Sequence, residues 1–129
     1  MNQSETTSSG NTSTKSSETF PAKLRIKKRD EFQTAFKEGK VAADGVLVVH
    51  AVRADAGPTR MGISIAKRVG NAPQRNNWKR LIREAFRRQR GQLPHSLHII
   101  IRPKKGATAD AAAIRKSLKT LLQRLDRNL

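Results

Sequence analysis

One segment of this 129-residue chain combines dense positive charge with the apolar spacing of a packed helix. Residues 67–90 contain nine Lys or Arg side chains and one acid, Glu84. Charge runs usually belong to solvated tails, but apolar side chains recur here at i, i+3, i+4, i+7 and i+8. These side chains are Trp78, Leu81, Ile82, Ala85 and Phe86. The segment is therefore predicted to be a helix with a buried face and a cationic face.

This helix is predicted to follow Asn71 and to end near Arg90. Asn71 is a favourable N-cap, Pro73 is tolerated in a first turn, and Gly91 is a helix stop. On a helical wheel, an arc of cations adjoins the apolar stripe. The arc holds Lys79, Arg80, Arg83, Arg87 and Arg90, with Arg75 at its border. One acid cannot offset their mutual repulsion, so phosphates are the expected complement, and a merely solubilising face is the alternative.

The composition indicates one small basic domain. The formal net charge is +17 and 36% of the residues are apolar, which favours a nucleic acid over an anionic membrane as the partner. No apolar run approaches the roughly 20 residues of a membrane span, and no secretory signal is recognisable, so a soluble, cytoplasmic protein is expected. The chain has no cysteine, which excludes a disulfide partner, Cys-ligated zinc and a thiol nucleophile.

The chain is predicted to divide into a disordered tail, residues 1–19, and a single RNA-binding domain, residues 20–129. The tail has no apolar residue after Met1 and cannot offset the entropy of ordering. Its charged residues are Lys15, Glu5 and Glu18. It is therefore not a basic nucleic-acid arm.

The domain is predicted to begin with a short helix over residues 28–37. Asp30 is its expected N-cap, and Gly39 is expected to end it. Phe32, Ala35 and Phe36 recur at helical spacing.

Strands are predicted over residues 46–52, 61–66 and 97–101, the second returning against the first. Gly62 and Ser64 share one face of that second strand, which is expected to be small and approachable. A last helix is predicted around the stripe formed by Ile114, Leu118, Leu121, Leu122 and Leu125. The order is α-β-β-α-β-α, with room for one more strand before the long helix, and indicates an α/β (α+β) sandwich.

Three stretches resemble the bacterial ribonuclease P protein subunit. Residues 63–72 read Ile-Ser-Ile-Ala-Lys-Arg-Val-Gly-Asn-Ala, and residues 79–86 read Lys-Arg-Leu-Ile-Arg-Glu-Ala-Phe. Residues 28–39 resemble the first helix of the family, so the resemblance spans residues 22–125. Two positions depart from the family pattern: Pro73 stands where Val is usual, and Asn77 stands where an Arg is usual.

The resemblance implies a fold and an activity. The fold would be a two-layer sandwich of the ribosomal protein S5 type, with a small central sheet and a split β-α-β unit of left-handed crossover. The chain would be the non-catalytic protein subunit of ribonuclease P, an endoribonuclease. A catalytic RNA subunit, which binds most of the Mg²⁺, would remove the 5′ leader of precursor tRNA. The residues themselves show no carboxylate cluster or metal-ligand spacing suited to phosphodiester cleavage.

The resemblance also implies two binding surfaces. The face toward the catalytic RNA would comprise Lys67, Arg68, Asn71, Arg75, Asn76, Lys79, Arg80 and Arg83. The leader cleft would comprise Phe32, Phe36, His50 and Ser64, with rings that stack on unpaired bases. From spacing alone, Phe32 and Phe36 are as typical of a core, and a lone His50 is typical of a structural residue. His95 and His98 are assigned no metal.

Three other functions compete with this interpretation. A structural ribosomal protein would have similar charge and size, but would not require the turn at residues 70–72 that leads into Arg75 and Asn76. A DNA-binding transcription factor would use the long helix for recognition, but that helix follows a strand rather than a short helix and turn. A stand-alone nuclease lacks the necessary acids.

Overall fold

The computed structural model describes residues 24–26, 28–55 and 57–129, which form three helices and a four-stranded sheet. In chain order the elements are α1 (Arg29–Glu38), β1 (Lys40–Ala43), β2 (Leu47–Arg53), β3 (Arg60–Ile63), α2 (Ala72–Gln89), β4 (Leu97–Pro103) and α3 (Ala111–Asn128), with 3-10 turns at Lys67–Val69 and Arg90–Gln92. The predicted tail, residues 1–19, lies outside the described residues. In the described part of the chain, no helix is long and apolar enough to cross a membrane.

The strand order of the sheet is β1-β2-β4-β3. β2 pairs antiparallel with β1 and β4, whereas β3 pairs parallel with β4. The predicted return of β3 against β2 is therefore wrong, because β4 lies between them. Ile99, Ile100 and Ile101 explain this order, since all three are fully buried and a strand covered on both faces takes a central position.

The unit β3-α2-β4 is the predicted split β-α-β unit, with two parallel strands joined through a helix. Its left-handed crossover stays a prediction from the resemblance. β3 is shorter than predicted and ends at Ile63, after which the chain turns toward α2. The additional strand for which the sequence left room is β1.

The main core lies between one face of the sheet and the pair of helices α2 and α3. α3 packs against β1, β2 and α2. The predicted stripe of α2 is buried in this core at all five positions, Trp78, Leu81, Ile82, Ala85 and Phe86. The predicted stripe of α3 is buried as well. These two helices and the sheet form the predicted two-layer sandwich.

The first helix covers part of the opposite face of the sheet. Ala35 packs there with Ile26 and Ile100, and Phe32 and Val52 flank this smaller cluster. Gly62 is buried against Phe32 of α1, so this part of the face predicted to be small and approachable is covered, whereas Ser64 of the same predicted face is half-buried and lines a groove.

An ion pair fastens the start of α1 to β3. Arg60 Nη1 donates to Glu31 Oε2 over 2.6 Å, and Arg60 Nη2 donates to the Arg25 carbonyl over 2.8 Å. The predicted N-cap Asp30 is wrong, because the helix begins one residue before it and Lys28 occupies the cap position. Asp30 instead lies in the first turn, where its charge complements the helix dipole.

Candidate nucleic-acid interface

The turn that leads into α2 is built around Asn71. Asn71 Oδ1 accepts a hydrogen bond from Gln74 N over 2.9 Å, and Gln74 Oε1 accepts one from Asn71 N over 2.8 Å. This reciprocal capping box satisfies two backbone donors at the helix start. Gly70 is required beside it, since a Cβ there would lie 2.2 Å from Gln74 Oε1. The predicted N-cap is thereby confirmed, and the turn fixes the direction in which the helix leaves the sheet.

The eight residues predicted to face the catalytic RNA lie on the turn Lys67–Val69, at the N-cap of α2 and in the part of α2 that ends at Arg83. Arg75 and Lys79 are half-buried, and the other six are exposed: Lys67, Arg68, Asn71, Asn76, Arg80 and Arg83. Burial of the apolar stripe turns these side chains away from the core. The structure therefore brings together the residues that the resemblance grouped.

Asn77, which departs from the family pattern, contacts its neighbour Arg80. Asn77 Oδ1 accepts a hydrogen bond from Arg80 Nη2 over 2.8 Å. The shorter side chain thus adds no charge but holds one guanidinium on the cationic face.

The cations at the carboxyl-terminal end of α2 are less available to an anionic partner. Glu84 accepts hydrogen bonds from both Arg87 and Arg88. Those hydrogen bonds and the charges of the two arginines lower the pKa of Glu84 to about 2, against the modest opposing effect of burial. Arg87, which the wheel placed in the cationic arc, is therefore partly neutralised. The available positive charge is concentrated toward the start of the helix.

Arg25 extends the cationic face beyond α2 and was missed in the sequence. With Lys79 and Arg83 it lines a depression of about 160 Å³ that is floored by Phe32 and Gly62. Burial, and then the nearby charge of Arg83, lowers the pKa of Arg25. The alternation of cations with Leu24 and Ile26 was the available signal, because it is typical of an extended segment lying on a sheet edge.

The predicted leader residues divide among three places on the structure. Phe36 and His50 contact each other, with ring centroids 4.7 Å apart in an edge-to-face arrangement. Phe36 is 39% exposed, whereas His50 is 8% exposed, so Phe36 is the ring with a free surface. Phe32 is half-buried over Gly62 and borders the cationic depression instead.

Ser64 lies in a groove at the carboxyl ends of β3 and β4. The groove measures about 490 Å³, and its lining includes Arg68, Arg102, Lys104 and Lys105 but no acid. Its floor is apolar and includes Trp78. Arg102 connects this groove to the ring pair, because Arg102 Nε donates a hydrogen bond to His50 Nε2 over 3.2 Å. The basic run at residues 102–105 was a signal that the sequence analysis left unused.

The fold and these surfaces define a small basic α+β protein of the nucleic-acid-binding class. Its cations are held on a crossover helix, and its exposed ring lies on the other face of the sheet. The family model for ribonuclease P matches residues 20–126. The chain belongs to this family.

Curated relatives and solved structures agree with the family. The ribonuclease P protein component of Listeria innocua is 40% identical over 103 residues, covering 78% of this chain and 87% of that protein. The component from Thermotoga maritima is 32% identical over 84% of this chain and 97% of its own length. The ribonuclease P protein of Staphylococcus aureus superposes with a TM-score of 0.70 at 33% identity, covering 78% and 94% of the two chains. The Thermotoga maritima structure gives 0.72 at 33% identity, covering 78% and 96%.

The chain is thus the protein subunit of ribonuclease P, and its role is in tRNA 5′ processing. Membership of this family selects this function over the three alternatives that the sequence left open. It also implies an RNA partner, since ribonuclease P is a ribonucleoprotein.

Proposed function

We propose that this subunit binds the catalytic RNA of ribonuclease P through the cationic face of α2 and the leader of precursor tRNA through the cleft beside α1. One observation carries the proposal. Arg75, Lys79 and Arg83 recur every four residues on one face of α2, Lys67 and Arg68 lie in the turn before it, and none of the five forms an ion pair with an acid of the described residues. Such a surface is stabilised by the phosphates of a partner.

The leader site is supported by its shape and chemistry. Phe36 is 39% exposed beside His50, and the groove that contains Ser64 and Arg102 supplies cations without acids. An aromatic ring stacks on any base, contributing about 1–3 kcal/mol for each one, while cations contact the backbone. The cleft therefore suits single-stranded RNA of varied sequence.

The chemistry is proposed to belong to the RNA subunit. In the described part of the chain, no three His, Asp or Glu side chains lie close enough to hold a metal ion. Mg²⁺ is commonly held by phosphates together with only one or two carboxylates, and we place it mainly on the RNA. The protein contributes positive charge and substrate contacts, in the cytoplasm where precursor tRNA is made.

Reconstitution with the catalytic RNA tests the first surface. The double variant Arg75→Ala/Lys79→Ala should weaken assembly and lower the slope of log affinity against log salt by roughly 0.7–0.9 for each phosphate that the variant no longer neutralises. The matched control is Lys116→Ala/Lys119→Ala, which removes two exposed cations from α3. Equal slopes for the two double variants would contradict the assignment of this face.

The second surface is tested with substrate. Phe36→Ala should leave assembly intact but reduce the preference of the holoenzyme for leader-bearing precursor over mature tRNA. Leu129→Ala removes a side chain of similar exposure at the end of the chain and should not change that preference. Equal weakening toward both RNAs by Phe36→Ala would show that the ring only supports the fold.

A further inference from the structure

His50 lies between the exposed ring of the cleft and a guanidinium. Its Nε2 accepts the hydrogen bond from Arg102 Nε, so the proton of the neutral ring must be on Nδ1. Nδ1 is buried and has no hydrogen-bond partner among the described residues. A buried donor without a partner is rare in proteins and costs a hydrogen bond. Of the two ring nitrogens, Nε2 is the one that forms a hydrogen bond, and we assign the role of His50 to that bond.

The other end of Arg102 is available to a ligand. His50 is the one hydrogen-bond partner of its side chain among the described residues, and no acid of those residues pairs with it. Arg102 lines the groove that also contains Ser64 and Lys104. Its remaining N–H groups can therefore donate to a phosphate in that groove.

We propose that His50 is a positioning residue, which in its neutral form aims Arg102 at a phosphate of the leader strand whose neighbouring base stacks on Phe36. This inference rests on the leader site proposed above and adds to it a residue, Arg102, and a dependence on pH. Protonation of His50 removes the acceptor at Nε2 and places two positive charges next to each other. Arg102 is then released from its aimed position, and leader binding weakens.

The surroundings of the ring favour its neutral form. The groups that face it from neighbouring elements are Val41 of β1, Ile100, His98 and Arg102 on the same face of β4, and Phe36 of α1. Lys37 and Glu38, which follow Phe36 in α1, are exposed to solvent. Burial, and then the charge of Arg102, lowers the pKa of His50 below its ordinary value of 6.5. The imidazole is therefore neutral near pH 7, and acidification far enough to protonate it breaks its hydrogen bond with Arg102.

The experiment uses holoenzyme reconstituted from the full chain and the catalytic RNA. Affinity for precursor tRNA relative to mature tRNA is measured at about pH 8, at about pH 5 and in steps between them, the range in which histidines change charge. The variants are Arg102→Leu, His50→Phe, their combination, and His50→Gln, whose amide oxygen can still accept from Arg102. Arg115→Leu, an exposed guanidinium on α3, is the matched control.

We expect Arg102→Leu to reduce leader preference at the higher pH on the order of tenfold, as for loss of a charged hydrogen bond. His50→Phe should cause a similar loss, and the combined variant no further loss, because His50 acts through Arg102. The wild-type preference should fall at the lower pH, whereas His50→Gln should retain the preference at both. Mature tRNA affinity and urea unfolding of each variant report on folding separately.

The inference is overturned by additive losses in the combined variant, by equal losses for mature tRNA, or by a pH dependence that persists in His50→Gln. If the wild type prefers precursor and Arg102→Leu does not change that preference, this inference fails while the proposed function stands. If the wild type shows no leader preference at any pH, the proposed leader site itself is wrong.

Discussion

The ring of Phe32 lies directly on Gly62, so that a Cβ at this glycine would come within 2.7 Å of Phe32 Cζ and 3.0 Å of Ile100 Cδ1. Phe32 belongs to α1 and Gly62 to β3, and this contact sets how closely the helix approaches the sheet. Lys79 and Arg83 border the same depression. The absence of one side chain therefore brings the ring-bearing helix next to the cationic face of α2.

Substituting Gly62 should move the Phe32 ring of α1 away from the cationic face of α2 and destabilise the fold. Gly62→Ala must displace the Phe32 ring or the helix that carries it, and overpacking of this kind costs about 1–3 kcal/mol of unfolding free energy. Urea denaturation measures that loss. Gly91→Ala is the control, because a Cβ there meets nothing within 4 Å. Equal stability of the two variants would show that α1 adjusts freely.

The capping box of α2 should contribute measurably to stability. Asn71→Ala removes the side-chain acceptor for Gln74 N, and loss of such an N-cap costs about 1 kcal/mol. Gln74→Ala removes the return bond, and the two losses should be less than additive because the bonds support one turn. Gln123→Ala, an exposed residue within α3, serves as the control in urea unfolding. Fully additive losses would contradict a coupled cap.

The carboxylate of Asp44 should make the free energy of unfolding depend on pH in the acid range. Burial alone would raise the pKa of Asp44, but hydrogen bonds from Ser117 and from the Leu47 and Val46 N–H groups hold that pKa below its ordinary 3.8. A depressed pKa stabilises the fold above pH 3.8, and this contribution is lost as the pH falls through the lower, folded-state value.

Ser117→Ala tests this network. We expect it to lower the unfolding free energy by about 1–3 kcal/mol near pH 7, since it leaves a carboxylate oxygen without its donor. The difference from wild type should shrink below pH 3.8, where Asp44 becomes protonated in the unfolded chain. Thr120→Ala, an exposed hydroxyl on the same helix, should show neither effect. A difference that stays constant with pH would mean that Ser117 matters through packing alone.

Removing the acid of α2 should strengthen RNA binding. Glu84→Gln frees Arg87 and Arg88 from their ion pairs, so affinity for the catalytic RNA should rise and its salt dependence should steepen by roughly 0.7–0.9 for each phosphate newly neutralised. Stability should change by less than about 1 kcal/mol, because these ion pairs are partly exposed. Asp126→Asn removes an acid from α3 that pairs with Arg53, and is the control. An unchanged slope would indicate that the end of α2 lies away from the RNA.

Helix features were predictable because they depend on neighbours in the sequence. The N-cap at Asn71, the buried stripe that includes Trp78, and the end of α1 at Gly39 all follow from spacing within a few residues. The cap of α1 was misassigned by two residues, since Asp30 suits the first turn as well as the cap. The grouping of cations on α2 followed from the same periodicity.

The arrangement of the sheet was not predictable in this way. Placing β4 between β2 and β3 depends on which strand must be covered on both faces, and that follows from how three helices share the two sides. The strand order in turn decides which side chains lie beside His50, among them Phe36 and Arg102. It also brings Arg25 beside Arg83, far away along the chain.

The sequence by itself determined that this chain has a helix with a cationic face and, by resemblance, the family to which it belongs. Only the tertiary structure decided that Arg25 joins the cationic face beside Arg83, and that His50 is covered and bound to Arg102. The physical reason is the distance along the chain over which each kind of interaction acts. Periodicity and capping act over a few residues, whereas hydrogen bonds and burial at the cleft join side chains separated by about fifty residues, which only the packed sheet brings within 3.2 Å.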